Sequence, residues 1–369
     1  MKIRRIAIHR KTLPLKEPYR LSGGRLRFER LDSTFVRLDT DDGLTGWGEG
    51  CPWGHTYLPA HGGGIRAAAK LLAPALLGMD PRRLDQVNRV MDITLPGHEY
   101  AKSPFDIACW DVFGQSAGLP IADLLGGGDA RPTPIASSIP TGTPAQMLAH
   151  IRQYRSRGYR LHSAKIGADA EVDIERIRRL EAERDEGEVM IYDVNRAWLP
   201  AQAVRVMNAV RALPVIIEQP CESLAQCAAV RARTLQPISI DERLETLPDM
   251  QRIIAERIGE IVNIKINRCG GLTKSRRIRD AALSAGIQML AMETGGSVIA
   301  DTAAQHFAQS IPAENRLGTW LCQEMLSVDT APGRGSRNTG GHSAIAPELP
   351  GLGVAPDADL LGAAVAVYE

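Results

Sequence analysis

Charged residues recur at nearly regular intervals through the middle of the chain, each at or near the end of a short apolar run. The runs read LHSAKIG, EVMIYDVN, PVIIEQP, ISIDE and IVNIKIN, and the charged residues are Lys165, Asp193, Glu218, Asp241, Glu242 and Lys265. Leaving out Glu242, successive members lie 23 to 28 positions apart. A (β/α)-barrel of roughly 250 residues uses about 30 per strand–helix unit, and its catalytic groups lie where the strands end. The spacing therefore predicts an active site at one end of a parallel barrel.

Three of these residues, Asp193, Glu218 and Asp241, are carboxylates on consecutive predicted strands. Magnesium prefers octahedral oxygen coordination and keeps positions open for water or substrate. Zinc usually recruits histidine or cysteine, and neither lies at these strand ends. A single acid would be explained equally well as an ion-pair partner, but three in succession between two lysines favour a metal site.

The two lysines, Lys165 and Lys265, end the predicted strands on either side of the carboxylates. A lysine is normally protonated, but a nearby divalent cation and a second lysine both disfavour the ammonium form, so one can act as a base. The substrate would be a carboxylate that coordinates the metal and loses its α-proton, and the metal would stabilise the resulting enediolate. Because side chains alternate along a strand, Glu242 points away from Asp241 and is expected to support the site from behind.

The elements around these strands divide the chain into three parts. Residues 1–128 read as an α+β domain, with a hairpin in STFVRLDT–DDG–LTGWGEG and a helix in SPFDIACWDVFGQSAG that has Ser103 as its cap and Gly118 after its end. Residues 129–322 alternate strictly between strand and helix, with Thr143 capping the first helix, which indicates a parallel α/β sheet. Residues 323–369 are rich in Gly, Pro and Ser, and we expect them to pack back on the first domain.

Composition excludes several classes of protein. The 369 residues carry a net charge of +1, so neither a nucleic-acid partner nor a membrane partner is indicated. No window approaches the ~18 consecutive apolar residues of a membrane span, and the N-terminus lacks a signal-peptide pattern. Six scattered cysteines without a CxxC pair are typical of reduced thiols in a cytoplasmic protein. The glycine-rich stretches lack GxGxxG, which disfavours a dinucleotide-dependent oxidoreductase.

The strand ends SAKIG, DVN, EQP, DE and IKIN, with the stretch DIACWDVFGQSAGLPIADLLGG, resemble the enolase superfamily of the mandelate racemase and muconate-lactonizing type. The resemblance implies a (β/α)7β modified TIM barrel under an α+β capping domain. It implies one Mg²⁺ per chain, with Mn²⁺ as an alternative ion, held by Asp193, Glu218 and Asp241, and acid/base roles for Lys165 and Lys265. It also implies a homo-oligomer.

A narrower similarity lies in LSGGRLRF, GWGEGCPWGHTYLPAHGGGIRA, NRVMDITLPGHEYAKSP, DVNRAW and NRCGGLT, which resemble the cis-3-hydroxy-L-proline dehydratases. The group of proline-betaine and 4-hydroxyproline-betaine epimerases shares the GHxYAK segment. The similarity implies loss of water from a small proline-like carboxylate in hydroxyproline catabolism, giving Δ1-pyrroline-2-carboxylate with slow epimerisation of proline as a side reaction. A 2-epimerase of betaine-type or N-substituted amino acids is the alternative. The resemblance places Tyr57 and Trp320 near the ring nitrogen, where aromatic faces attract a cation.

Two positions depart from the pattern of these relatives. Ser163 stands where many racemases carry the first lysine of Lys-x-Lys, so it becomes a candidate hydrogen-bond partner for the substrate. Glu293 stands where related proteins have aspartate, and its longer side chain is expected at the amine or hydroxyl end of the substrate. Asn195, two residues beyond Asp193, is expected on the same face as a supporting ligand. An inactive, metal-stabilised binding protein is disfavoured because both lysines and all three acids are present.

Overall fold

The computed structural model describes residues 1–127, 129, 131–340 and 342–369. The chain begins with three antiparallel strands, β1 (Ile3–Leu21), β2 (Leu26–Thr40) and β3 (Thr45–Gly50). A short 3-10 helix, Ser22–Gly24, joins β1 to β2. The hairpin predicted from sequence is confirmed as β2–β3, whose register pairs Thr34 with Gly50 and Asp39 with Thr45.

Four helices follow these strands: α1 (Gly62–Leu76), α2 (Leu84–Thr94), α3 (Glu99–Ala117) and α4 (Ile121–Leu124). Apolar side chains of the strands and helices share one core, which includes Ile6, Phe35, Leu72 and Trp110. Strand β3 and helix α3 approach closely because Gly46 and Gly48 lack side chains: a Cβ atom would lie 2.2 Å from the Ala108 carbonyl oxygen and 2.0 Å from that of Pro104, respectively. The hydrophobic burial of this layer gives the capping domain its stability.

The start predicted for α3 at Ser103 is wrong. The helix begins four residues earlier, at Glu99, and Pro104 lies inside it. Gly118 follows its end as predicted, and the structure shows it in a left-handed conformation. Proline has no N–H, so the carbonyl of Tyr100 would lose its helical partner. The side chain of Asn267, from the barrel, donates to that carbonyl at 3.1 Å. The helix therefore continues through Pro104 because a distant residue replaces the missing bond.

Eight parallel strands form the barrel, with neighbours in chain order along the sheet. They are β5 (Ala136–Ile139), β6 (Leu161–Lys165), β7 (Val189–Asp193), β8 (Ile216–Glu218), β9 (Ile238–Ile240), β10 (Ile261–Lys265), β11 (Gln288–Met292) and β12 (Arg316–Gly318). The first and last strands meet where Ala136 N donates to the Thr319 carbonyl at 2.8 Å and Thr319 N donates to the Pro134 carbonyl at 2.8 Å. These bonds bring the sheet close to a closed barrel.

Seven main helices connect the eight strands: α5 (Pro144–Ser156), α6 (Ala170–Ala182), α7 (Pro200–Ala209), α8 (Leu224–Arg231), α9 (Leu247–Glu256), α11 (Leu272–Ser284) and α12 (Val298–Gln309). A short helix, α10 (Ile266–Cys269), precedes α11. The predicted cap of α5 is confirmed, because Thr143 and Gln146 form a reciprocal capping box. The fold is therefore the predicted (β/α)7β modified TIM barrel with an α+β capping domain.

The end of the chain contacts both domains. Strands β13 (Arg337–Thr339) and β14 (Ser343–Ile345) form a small antiparallel sheet with β4 (Thr133–Pro134). After the short helix α13 (Ala358–Leu361), strand β15 (Ala366–Tyr368) pairs antiparallel with β1 at the edge of the capping sheet. None of the described helices is long and apolar enough to cross a lipid bilayer.

A buried carboxylate joins the capping domain to the barrel. Glu49, on β3, is fully buried and accepts hydrogen bonds from Ser33 Oγ at 2.6 Å, Ser297 N at 2.8 Å, Ser297 Oγ at 2.7 Å and Ala300 N at 3.1 Å. Two of these donors are backbone groups at the N-terminus of α12, where a negative charge is favoured by the helix dipole. The side chain thus fixes how β3 sits over the end of β11.

Candidate active site

The three predicted carboxylates converge at the ends of adjacent strands. Asp193 ends β7, Glu218 ends β8 and Asp241 follows β9 directly. All three side chains are buried, and each offers an oxygen within 4.8 Å of the others. Three hard oxygen donors from three strands are the donor set that a divalent cation such as Mg²⁺ prefers.

The electrostatics of this cluster favour a cation. Burial raises the pKa of Glu218 well above its usual range, and the charges of Asp193 and Asp241 raise it further. Its carboxylate accepts one bond, at 3.1 Å from Asn263 Nδ2, which is too little to offset that repulsion. For Asp241, burial alone would raise the pKa, but Lys265 and Arg268 lower it to about 2. A divalent ion between these oxygens would relieve the repulsion, so the residues fit it.

The two predicted lysines lie on the strands that flank this cluster. Lys165 ends β6 and its ammonium contacts Asp193 Oδ2, while Lys265 ends β10 and donates to Asp241 Oδ2 at 2.8 Å. Burial alone would lower the pKa of Lys165, but the contacting carboxylate of Asp193 raises it above its usual range. In this arrangement Lys165 is therefore an ammonium donor. A cation bound to Asp193 would weaken this ion pair and favour the neutral amine of Lys165.

Asn195 and Glu242 support Asp193 from the side. The backbone N–H of Asn195 donates to Asp193 Oδ1 at 2.9 Å, and its side-chain amide donates to Asp193 Oδ2 at 3.1 Å and to Glu242 Oε1 at 3.2 Å. Burial raises the pKa of Glu242 to about 7, with further contributions from the charges of Asp241 and Asp193. Asn195 thus orients the carboxylate at the end of β7, and Glu242 reaches that carboxylate only through Asn195.

A cavity of about 70 Å³ opens over the cluster, between the barrel and the capping domain. Both lysines and all three carboxylates line it. One wall is polar and includes Ser138, Ser163 and Tyr19. The barrel floor beneath is apolar, formed by Ile191, Leu290, Met292 and other side chains of one buried cluster. The cavity thus combines charged groups at strand ends with an apolar surface for a small ring.

The predicted aromatic residues both reach this cavity. Tyr57 comes from the capping domain and is almost fully buried, with Lys265 Nζ lying 5.7 Å from the centre of its ring. Trp320, after β12, lies on the apolar side and its ring centre is 6.0 Å from that of Trp53. The two predicted aromatics therefore border the same space as the lysines.

Glu293 is not among the residues that line the cavity. It is fully buried behind β11 and accepts a hydrogen bond at 2.9 Å from the backbone N–H of Asn267, in the first turn of α10. Burial raises the pKa of Glu293 well above its usual range. Because side chains alternate along a strand, Met292 takes the inward position instead, and Thr294 lines the cavity beyond it.

Several site residues were missed in the sequence. Asn263 lies two residues before Lys265 on the same face of β10, so alternation along the strand could have identified it. Tyr19 gave no comparable signal, because it lies after a register shift in β1 and reaches the barrel only through tertiary packing, where its hydroxyl contacts Ser138 Oγ. Arg268, from α10, lies 2.8 Å from Asp241 Oδ1 and was also missed.

Comparisons with known proteins agree with this geometry. Residues 3–126 match the mandelate racemase / muconate lactonizing enzyme N-terminal domain, and residues 146–360 match the enolase C-terminal domain-like family. The chain is 38% identical to cis-3-hydroxy-L-proline dehydratase from Roseibium aggregatum over 370 residues, covering 100% of both chains. It is 30% identical to N-succinyl-L-Arg/Lys racemase from Bacillus cereus, covering 84% of this chain and 85% of the relative.

The same relationship appears among solved structures. An enolase-superfamily member from Roseovarius nubinhibens, solved in complex with magnesium, is 54% identical and superposes with a TM-score of 0.96, covering 100% of this chain and 99% of that one. Both family matches, the fold and the full-length relatives lead to one assignment. The chain belongs to the enolase superfamily, in its mandelate racemase and muconate-lactonizing branch, and is an enzyme of that superfamily.

Proposed function

We propose that the protein is a Mg²⁺-dependent dehydratase that converts cis-3-hydroxy-L-proline into Δ1-pyrroline-2-carboxylate. The observation that carries the proposal is the pair of lysines on the strands that flank three convergent carboxylates in a small cavity. The full-length similarity to a cis-3-hydroxy-L-proline dehydratase supports the choice of substrate. The neighbouring structure with magnesium supports the choice of ion, for which Mn²⁺ is a reasonable substitute.

We assign the metal to Asp193, Glu218 and Asp241, whose oxygens lie within 4.8 Å of one another. Mg²⁺ bound there would bind the substrate carboxylate, favour the negative charge that develops on it as the α-proton leaves, and disfavour the ammonium form of Lys165. The residues of the chain supply the remaining steps. Asn195 keeps the Asp193 carboxylate in place, and Ser163 faces the substrate where relatives of the racemase type carry a further lysine.

The stereochemistry of the substrate assigns different roles to the two lysines. In cis-3-hydroxy-L-proline the hydroxyl and the carboxylate share one ring face, so the α-hydrogen lies on the other. Lys165 removes that hydrogen as a proton, and Lys265 protonates the departing 3-hydroxyl from the opposite side. The C–H and C–O bonds break, water leaves, and the enamine product tautomerises to the cyclic imine. A base and an acid on opposite sides of the cavity suit this anti elimination.

The aromatic residues of the cavity would recognise the ring and its nitrogen. Tyr57 and Trp320 border the same space, and an aromatic face attracts a cationic nitrogen by roughly 0.5–2 kcal/mol. The apolar floor made by Ile191, Leu290 and Met292 would contact the ring carbons. A small cavity with these walls suits a cyclic amino acid better than an extended peptide.

Incubating the purified protein with Mg²⁺ and cis-3-hydroxy-L-proline in deuterated water tests the proposal. We expect the imine to accumulate with loss of water, and Lys165→Met to abolish both imine formation and α-proton exchange. Lys265→Met should abolish imine formation. Lys70→Met, which replaces an exposed lysine on α1, is the matched control and should behave as the wild type. Imine formation that survives in Lys265→Met would contradict the assigned acid.

An epimerase of proline betaine, 4-hydroxyproline betaine or another N-substituted amino acid is the second candidate. It is favoured by the similarity to N-succinyl-L-Arg/Lys racemase and by the two-sided placement of the lysines, because a substrate without the 3-hydroxyl can be reprotonated on its opposite face. The same experiment separates the two candidates. Exchange of the α-proton with inversion and without imine formation, on betaine substrates, would favour the epimerase.

A further inference from the structure

A loop of the capping domain, residues 51–61, covers the cavity between β3 and α1 without regular secondary structure. It carries Trp53 and Tyr57, which both line the cavity. Its internal backbone hydrogen bonds are few: Tyr57 N and Leu58 N both donate to the Gly54 carbonyl, at 3.0 and 3.3 Å, and Ala60 N donates to the Leu58 carbonyl at 2.7 Å. Such a segment needs contacts with the barrel to stay closed over a substrate.

Beside the packing of Trp53 against Trp320, Arg196 supplies a polar contact of this kind. Its Nη2 atom donates to the Tyr57 carbonyl at 2.6 Å, and its guanidinium carbon lies 5.6 Å from the centre of the Tyr57 ring. Within the described part of the chain, this is the only hydrogen bond that joins the 51–61 loop to the barrel. The guanidinium therefore holds the backbone and the ring of one residue at once.

The position of Arg196 depends on the end of the strand that carries Asp193. Asn195 and Arg196 have φ angles of 45° and 65°, in the left-handed region that residues other than glycine rarely adopt. The turn is fixed by Arg196 N, which donates to the Gln219 carbonyl at 2.9 Å. Ser22 Oγ donates to the Asn195 carbonyl at 3.2 Å, so a second segment of the capping domain contacts the same turn.

The carboxylates near Arg196 restrict where its side chain can go. Its Nη1 atom lies 3.5 Å from Glu222 Oε1, and its Nε atom lies 3.5 Å from Glu242 Oε1. These ion pairs hold the guanidinium between the barrel and the loop. Tyr57 in turn has the ammonium of Lys265 over its ring at 5.7 Å, so the loop, Arg196 and Lys265 form one contiguous set of contacts.

We propose that Arg196 is a positioning residue that holds the 51–61 loop closed over the cavity, and thereby sets Tyr57 against Lys265. It acts through the loop and does not touch the reacting atoms. Closure of this kind would order the capping side of the site before substrate binds, which lowers the cost of binding. The inference goes beyond the proposed function, because it holds for any substrate that the cavity accepts.

Amide hydrogen exchange on the Mg²⁺-loaded protein tests the proposal without any substrate. In Arg196→Met, we expect the amides of Tyr57 and Leu58 to exchange about tenfold faster or more, because a hydrogen bond from a charged donor is lost. Amides of β7 should keep their wild-type rates. Arg243→Met is the matched control, since Arg243 also contacts Glu222 but makes no contact with Tyr57. Unchanged exchange at Tyr57 and Leu58 in Arg196→Met would overturn the proposal.

Two further measurements separate positioning from a general structural role. Arg196→Lys, which keeps the charge but loses the planar fork, should show an intermediate increase in exchange, and it replaces Arg196→Met if that variant does not fold. With an active substrate, KM should rise about tenfold in Arg196→Met while kcat changes by less than about threefold. A fall in kcat at constant KM would contradict the proposal. Absence of dehydratase activity would leave the exchange result intact, so the two failures are distinguishable.

Discussion

His306 should make the folded protein less stable in mild acid, and the size of the effect follows from the shift of its pKa on burial. The ring is fully buried in α12, where Nδ1 accepts from Ala122 N at 3.3 Å and Nε2 donates to the Leu352 carbonyl at 3.1 Å. A second ring proton would point at the N–H of Ala122. Burial, as the largest cause, lowers the pKa of His306 from 6.5 to about 4.

The sign and the magnitude follow by linkage. The folded state resists protonation, so the contribution of His306 is fully present above pH 6.5 and is lost as the pH falls toward 4. Between pH 7.5 and 5.0 the loss amounts to about 2 kcal/mol of unfolding free energy. Asp111, whose pKa burial raises to about 6, contributes in the opposite direction and must be cancelled by comparison with a variant.

His306→Gln provides that comparison, because the amide can donate to the Leu352 carbonyl and accept from Ala122 N without titrating. Equilibrium unfolding in guanidinium, with a chelator present, should be measured for both proteins at pH 7.5 and 5.0. We expect the wild type to lose about 2 kcal/mol more than the variant over this interval. Parallel pH dependence in the two proteins would refute the reasoning.

Three other outcomes follow from the same structure. Glu218→Gln should weaken Mg²⁺ binding at least about tenfold. At a hundred times its Kd, Mg²⁺ would stabilise the wild type by about 2.7 kcal/mol, and it should raise the melting temperature of the variant far less than that of the wild type. An equal rise would exclude Glu218 as a ligand. Tyr19→Phe removes one hydroxyl beside Ser138, so it should lower kcat/KM for the proposed substrate about tenfold. The unfolding free energy should stay within about 1 kcal/mol of the wild type. Unaltered kinetics would show that Tyr19 takes no part in substrate recognition. Glu49→Gln should lower the free energy of unfolding in guanidinium by about 1–3 kcal/mol, whereas Glu29→Gln, at an exposed position, should not. Equal stabilities of the two variants would show that the four hydrogen bonds to Glu49 are dispensable.

The sequence predicted the barrel and the charged part of the site because both depend on local patterns. Carboxylates and lysines at the ends of apolar runs lie at one end of a parallel barrel whichever helices connect the strands. The same alternation that places Asp193 and Lys265 inward also accounts for Asn263. The positions of these residues follow from the direction of the strands and from the alternation of side chains along each strand.

The remaining residues depend on contacts between distant segments. Tyr19 reaches the site, and Arg196 contacts the loop above it, only because the capping domain packs on the barrel, and no short sequence pattern predicts that packing. The start of α3 was mispredicted because Asn267 replaces the hydrogen bond that Pro104 cannot make. Glu293 was expected at the substrate from a resemblance, but its side chain alternates outward and binds the backbone of Asn267.

The position of Glu49 has a consequence for the kind of ligand this barrel can accept. In many barrels, the loops after the seventh and eighth strands and a nearby helix N-terminus bind a phosphate group. Here the N-terminus of α12, after the seventh strand, already receives a carboxylate from the capping domain. A phosphate group approaching this end of the barrel would find those amides already bound to the Glu49 carboxylate, so this helix N-terminus is not free to bind it.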